Sequence, residues 1–288
     1  MFKTENKEIC VAVSSLDNLR RILDGKPPKG SPRELEVLSK TKSFLGLASR
    51  VYFGHETCAR RLPLRSEIIK AYSLCLSSGM NMSLVLPYAG ERDMGSITSA
   101  MEIFSAVNPG GEVILNDFGL INVASEKNIP VKVVLGRLLS RQKRDPRFTE
   151  FPSAENLKRD ELPLSSFSVP SFKNFFLESG ISRAGFDSLP QGINAADVSG
   201  FDFDAYWPWV YVTSGRSCQL LGANDARKGK YPLEGLCGKD CLGAVMEPEK
   251  QGDFYSFQKG NAVWMEVLEP GTLAGNFTRL IYEPVVPA

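Results

Sequence analysis

The chain has 288 residues, 43 % hydrophobic and 10 % aromatic, which is enough for one large α/β domain or two small ones. With 34 basic against 33 acidic residues it is not built mainly to coat nucleic acid or an anionic membrane, though a local basic patch fits that balance. MFKTENKEIC lacks the apolar run of a signal peptide, and no stretch reaches the roughly eighteen apolar residues of a spanning helix.

The expectation is a soluble cytoplasmic protein with no membrane span. Six cysteines are too few for a disulfide scaffold in so long a chain, so clustered cysteines point to metal or redox chemistry. Residues 8–13, EICVAV, read as a first strand. In the following SSLDNLRRILDG, Ser15 or Asp17 can cap a helix that carries Leu16, Leu19, Ile22 and Leu23 on one face, with Gly25 closing it. KPPKGSP then breaks the chain and Pro32 opens a second helical pattern. Residues 24–45 therefore read as an insertion or outer helix, with no function assigned to it.

RVYFG at 50–54 is a second strand, followed directly by HETCARR. Helix and strand then alternate: a helix at 64–78, a strand at 82–88, a helix at 97–106, a strand at 112–117, a helix at 120–127 and a strand at 131–136. Such alternation with short connections predicts parallel strands joined by right-handed crossovers, as in a doubly wound sheet or a barrel. The rhythm is lost in an irregular excursion at 141–168, which begins RQKRDPRFTEF. It resumes with the helix SFKNFFLESG and the strand SRAGFDS. YWPWVYVT at 206–213 reads as another strand, with Pro208 at a bulge or edge, and DFYSFQ, AVWMEV and TRLIYEP are three further β runs. About eight strands in parallel-compatible order predict a single (β/α) TIM-like barrel over residues 1–288, irregular in its last strands.

Three of the six cysteines, Cys218, Cys237 and Cys241, fall in the irregular stretch RSCQLLGANDARKGKYPLEGLCGKDC. Thiolates are soft donors suited to zinc or iron–sulfur clusters. In a parallel barrel the loops after the strands' carboxyl ends share one face, which would bring Cys58, just past Gly54, to Cys218, just past Thr213. One thiolate plus three suits a [4Fe–4S] cluster; zinc is the alternative, and structural zinc sites more often use two close cysteine pairs. Cys10 on the first strand and Cys75 on an apolar helix stripe read as core. His55, the sole histidine, could act as a general acid or an outer donor. Among strand-end polar residues, Asp117 and Glu91 are candidate proton carriers, and Arg137 or Arg60 a candidate anion contact, with Asn116 and Asp187 on the same face. Asp117 reads equally well as a helix cap.

The set VYFGHETCARR at 51–61, NDFGLINVASEKNIPV at 116–131, RSC ending at Cys218 and CGKDC ending at Cys241 resembles the U32 peptidase family. Within it, the chain is similar to the short branch associated with oxygen-independent ubiquinone biosynthesis. The resemblance implies a barrel-like fold with a [4Fe–4S] cluster on Cys58, Cys218, Cys237 and Cys241. It also implies hydroxylation without dioxygen on a small quinone-type substrate or an RNA base, with prephenate as oxygen donor and a related subunit as heterodimer partner. The net charge lends no support to nucleic acid as substrate. The Cys218–Cys237 spacer is longer than that branch leads one to expect. A metal-stabilised scaffold without catalysis is the second reading. A U32-type peptidase is the third, for which the sequence offers a single histidine, no zinc motif and no protease constellation.

Overall fold

Short β-branched runs alternating with amphipathic stretches resolve, in a computed structural model, into a closed parallel barrel. The structure describes residues 6–144, 162–215, 218, 220–221, 237–242, 246–251 and 254–287. The barrel strands are β1 (Glu8–Val13), β2 (Arg50–Gly54), β3 (Asn81–Leu86), β4 (Glu112–Leu115), β5 (Lys132–Leu135), β6 (Arg183–Asp187), β8 (Asp202–Trp207) and β14 (Phe277–Tyr282). They close in the order β1-β14-β8-β6-β5-β4-β3-β2, every neighbouring pair parallel. Between β6 and β8, the two-residue β7 (Ile193–Asn194) pairs with β13 (Leu273–Ala274) outside the barrel.

Helices cover the outside, as parallel strands buried on both faces require. They are α1 (Leu16–Leu23), α2 (Pro32–Thr41), α3 (Arg65–Ser77), α4 (Met94–Val107), α5 (Phe118–Glu126) and α6 (Pro170–Glu178). Ser15 caps α1, accepting from the Asn18 N–H, as the sequence suggests. The main core lies between helices and barrel, while Cys10, Tyr52, Val85, Ile114, Val134, Tyr206 and Ile281 fill the barrel itself. Both cysteines assigned to the core, Cys10 and Cys75, are fully buried.

The barrel floor is charged. Arg50 and Arg279 reach in at the strand starts and pair with Glu8 and Glu112, at 2.8 Å for Arg50 Nε to Glu8 and 2.9 Å for Arg279 to Glu112. Arg279 also donates to the Tyr52 hydroxyl, which donates to Asp204 at 2.8 Å. Burial alone would raise the Glu8 and Glu112 pKa values, but the two guanidiniums outweigh it and hold both below the ordinary value. A depressed folded-state pKa stabilises the fold above the unfolded value and ceases to do so as pH falls through it. Urea midpoints should therefore stay level near neutral pH and decline below about pH 4.5. The pair Arg50→Met and Arg279→Met should flatten that decline, and an unchanged profile would count against this floor.

The region from 206 onward departs from the single barrel strand expected there. β8 begins earlier, at Asp202, and ends at Trp207; after Pro208 the chain enters β9 (Trp209–Ser214), which leaves the barrel. Asp202 and Asp204 are poor strand formers in water, but Arg183 binds both carboxylates, so tertiary contacts override propensity. DFYSFQ and AVWMEV are β11 (Phe254–Lys259) and β12 (Ala262–Glu266), which with β10 (Met246–Gln251) and β9 make an antiparallel sheet ordered β10-β11-β12-β9. Of the three late β runs, only TRLIYEP rejoins the barrel, as β14.

The segment 24–45 has a definite place. Val37 of α2 packs with Trp209, Phe257, Trp264 and Val286. Glu34, fully buried, accepts from the Val286 N–H at 2.8 Å and from Lys259 Nζ at 3.0 Å. The helix thus clamps the C-terminal strap, residues 284–287, to the antiparallel sheet. Within the irregular excursion, 145–161 lie outside the described residues; beyond them Phe167 is buried against Phe172, Phe186 and Phe201. Among the described residues no helix is long and apolar enough to cross a membrane.

Candidate cofactor site at the barrel mouth

The antiparallel sheet lies against the carboxyl ends of the barrel strands, and the loop after β2 rises to meet it. Gly54 ends β2 at φ +135°, where a Cβ would sit 2.1 Å from the Val85 carbonyl oxygen, so only glycine lets the loop leave here. His55 then turns its Nδ1 back to accept from the N–H groups of Thr57 and Cys58, both at 3.2 Å. Thr57 and the start of the cysteine loop are joined by Asn261 at the β11–β12 turn. Its Nδ2 donates to the carbonyls of Thr57 at 2.6 Å and Gly215 at 2.8 Å, and the Tyr88 hydroxyl also donates to Gly215 at 2.8 Å.

This stitching sets the Cys58 loop against the turn at 237–242. Cys58 and Cys237 are half-buried and Cys241 is buried. Burial raises the Cys58 pKa, the N–H groups of Arg60 and Arg61 lower it, and the nearby Cys241 and Cys237 raise it again, leaving it above the usual thiol value. Arg61, itself buried, donates from its guanidinium to Cys241 Sγ at 3.4 Å. Cys218 is half-buried and follows β9 of the antiparallel sheet, not a barrel strand. Most of the spacer between Cys218 and Cys237 lies outside the described residues.

A cluster or zinc ion needs soft anionic donors with hydrogen-bond donors to the sulfurs, and this set supplies both. Among the described residues, however, no three of His, Cys, Asp and Glu stand at metal-ligating spacing. Ligation would require the turn at 237–242 to draw onto Cys58.

The other candidates are placed as follows. Glu91 is exposed in the turn before α4. Asp117 caps α5, with Oδ1 accepting from the Gly119 N–H at 2.7 Å and Oδ2 from Ala89 at 3.2 Å, so the capping reading describes it. Asn116, buried, donates to the Leu86 carbonyl. Arg137 is completely buried at the centre of the mouth. It donates to Glu56 (Nε, 2.9 Å), Asp187 (3.0 Å), the Trp209 carbonyl (2.9 Å) and Glu283 (3.1 Å), and it lies over the rings of Tyr206 and Trp264. Burial opposes its charge, but Glu283, Glu56 and Asp187 keep its pKa well above the usual one. Burial pushes Glu56 and Glu283 up despite Arg137, Glu283 the more strongly. From the RQKR run, Arg144 turns inward and pairs with Asp187 at 2.6 Å.

Sequence reasoning missed Glu56, Glu283, Asn261 and Tyr88. Glu283 follows β14 directly, so the rule that picked out strand-end polar residues would have found it once β14 was known to be a barrel strand. Asn261 gave only the signal of a turn residue after Gly260.

Fold and site together define a parallel (β/α) barrel whose mouth is roofed by an antiparallel sheet and lined by thiols and a buried guanidinium–carboxylate network. No family model matches the chain, and no curated protein matches it in sequence. Among solved structures, that of the U32 peptidase Mk0906 aligns over 98 % of this chain and 95 % of its own, with 10 % identity and a TM-score of 0.45. Similarity at that level places this chain in no family.

Proposed function

We propose that this chain is an iron–sulfur protein of a dioxygen-independent hydroxylation system, in which Cys58, Cys218, Cys237 and Cys241 hold a [4Fe–4S] cluster at the barrel mouth. The observation that carries this reading is the approach of Cys241 to the loop that bears Cys58, where the Arg61 guanidinium donates to its Sγ at 3.4 Å. Such a cluster, when bound, supplies one-electron transfer beside a small organic substrate.

The chain's own residues set the conditions there. Backbone N–H groups of Arg60 and Arg61 lower the Cys58 pKa against the larger effect of burial, and the Arg61 side chain donates to Cys241 Sγ. Asn261 and Tyr88 hold the two cysteine-bearing loops in register. Arg137 holds the mouth together; to contact an anionic substrate it would have to leave three carboxylates.

The substrate class, a quinone-type ring or an RNA base, with prephenate as donor and a related subunit as partner, rests on the sequence resemblance. A peptidase needs a base for its nucleophile, and the sole histidine is poorly set for that. With Nδ1 accepting two N–H groups, the neutral ring carries its proton on Nε2. The test is Cys58→Ala, followed anaerobically for hydroxylated product and for co-purification of a related subunit. Lost product with an unchanged circular dichroism spectrum supports the enzyme. Unchanged product with a lost complex would make the chain a scaffold.

A further inference from the structure

A cleft of about 1070 Å³, ample for a small organic ligand, opens between α5 and α6. Glu112, Lys132 and Arg183, the first residues of β4, β5 and β6, lie along it, so it sits at the amino ends of the strands, away from the thiols. Phe118 of α5 stacks on Phe176 of α6 at 6.0 Å between centroids, and beyond that contact the cleft separates the two helices. Both helices end in the same turn. The Ile129 N–H donates to the Ala124 carbonyl at 3.1 Å and the Ile181 N–H to the Phe176 carbonyl at 2.9 Å, each after a left-handed residue, Asn128 or Gly180. The two isoleucines line the cleft, as do Ile121 and Phe175, and give it apolar sides.

At the back of this cleft the barrel wall is incomplete. β4 and β5 pair at four positions, whereas β5 and β6 pair only at Leu135 and Ala184. The N–H groups of Lys132 and Gly136 donate toward β4, to the carbonyls of Gly111 and Leu115, so by alternation the N–H and C=O of Val133 point toward β6. Among the described residues none of β6 pairs with Val133, and Ile181, just before β6, turns its own N–H to α6. Val133 therefore presents an open strand edge to the cleft it lines. The charges there are unevenly matched. Glu112 is held by Arg50 and Arg279, and Arg183 by Asp202 and Asp204. Lys132 and Glu178, both exposed along the cleft, have no ion-pair partner among the described residues.

An unpaired strand-edge N–H and an unpaired ammonium on adjacent residues are two donors awaiting an acceptor, and a carboxylate satisfies both. An amine in that place would meet Lys132, and a second acidic group on the ligand would meet Glu178. We propose that this cleft binds a monocarboxylate with an apolar chain, of the medium-chain fatty-acid class. Its carboxylate accepts from the Val133 N–H and Lys132 Nζ, and its chain lies between Ile121 and Ile129 on one side and Phe175 and Ile181 on the other. The proposal is independent of the cluster reading, since no cysteine lines the cleft.

The test is isothermal titration of the full chain with octanoate, octanol, octylammonium and octanedioate. Octanoate should bind with one-to-one stoichiometry and a Kd of about 0.3 mM, and each of the others about tenfold more weakly. Lys132→Met should weaken octanoate about tenfold and leave octanol unchanged, a split that a purely structural role of the lysine would not produce. Ser125→Trp, at an exposed position of α5 on the cleft, should fill it and abolish octanoate binding with Lys132 intact, which keeps the test alive if the first variant fails to fold. Lys70→Met, at an exposed position of α3, should change nothing. No saturable octanoate binding, equal affinity for octanol or octylammonium, binding retained in both cleft variants, or an equal loss in Lys70→Met would each overturn the proposal.

Discussion

Replacing Arg137 with Met should lower the free energy of unfolding by about 3–5 kcal/mol, among the largest single-residue effects in the molecule. The guanidinium is completely buried, and its removal leaves Glu56, Asp187 and Glu283 facing one another with Arg144 as the remaining cation. Breaking a buried ion pair from one side is costly because the partner charges stay behind, whereas replacing a whole network can be nearly neutral. Lysine should not restore the loss, because a point charge on a flexible stem cannot reach Glu56, Asp187, Glu283 and the Trp209 carbonyl at once. Mild acidification should recover part of the stability of Arg137→Met, as the stranded carboxylates take up protons. Urea unfolding at two pH values checks both points, and a loss under about 1 kcal/mol would mean the network is worth no more than an exposed ion pair.

Glu34→Ala should cost a similar amount, about 3–5 kcal/mol, for a related reason. It strands Lys259, which is 8 % exposed and otherwise bonds the Val286 carbonyl, and it leaves the Val286 N–H without its acceptor. The loss should be local first. Limited proteolysis should clip the C-terminal strap of the variant before the barrel strands, while the wild type resists at both places. Simultaneous cleavage across the molecule would show that α2 supports the whole fold and not the strap alone.

The early barrel was legible because β1 to β5 obey the rule that writes a parallel sheet into sequence: short apolar runs, each followed in chain order by a helix. The later part was not, for two physical reasons. A period-2 run such as DFYSFQ or AVWMEV carries no mark of whether its neighbour runs parallel or antiparallel, so β11 and β12 looked like barrel strands. Asp202 and Asp204 hid the start of β8, because the Arg183 contacts that make them tolerable come from a strand 20 residues away in sequence. The placement of the site was half legible. The strand-end rule paired Cys58 with Cys218 past Thr213, but 209–214 belongs to the roofing sheet and not to the barrel, so only Cys58 follows a barrel strand. Arg137 was picked out as a strand-end cation, but its carboxylate partners Glu56 and Glu283 come from opposite ends of the chain, and only the closed barrel brings them to it.

Whether Cys58, Cys218, Cys237 and Cys241 hold an iron–sulfur cluster is decided by anaerobic purification followed by iron, sulfide and zinc analysis, with an absorption spectrum, on the wild type and on Cys237→Ala. About four irons and four sulfides per chain, lost in the variant, are the predicted result. One zinc without iron would make the site a structural metal centre, and no metal in an anaerobically reconstituted sample would contradict the claim outright.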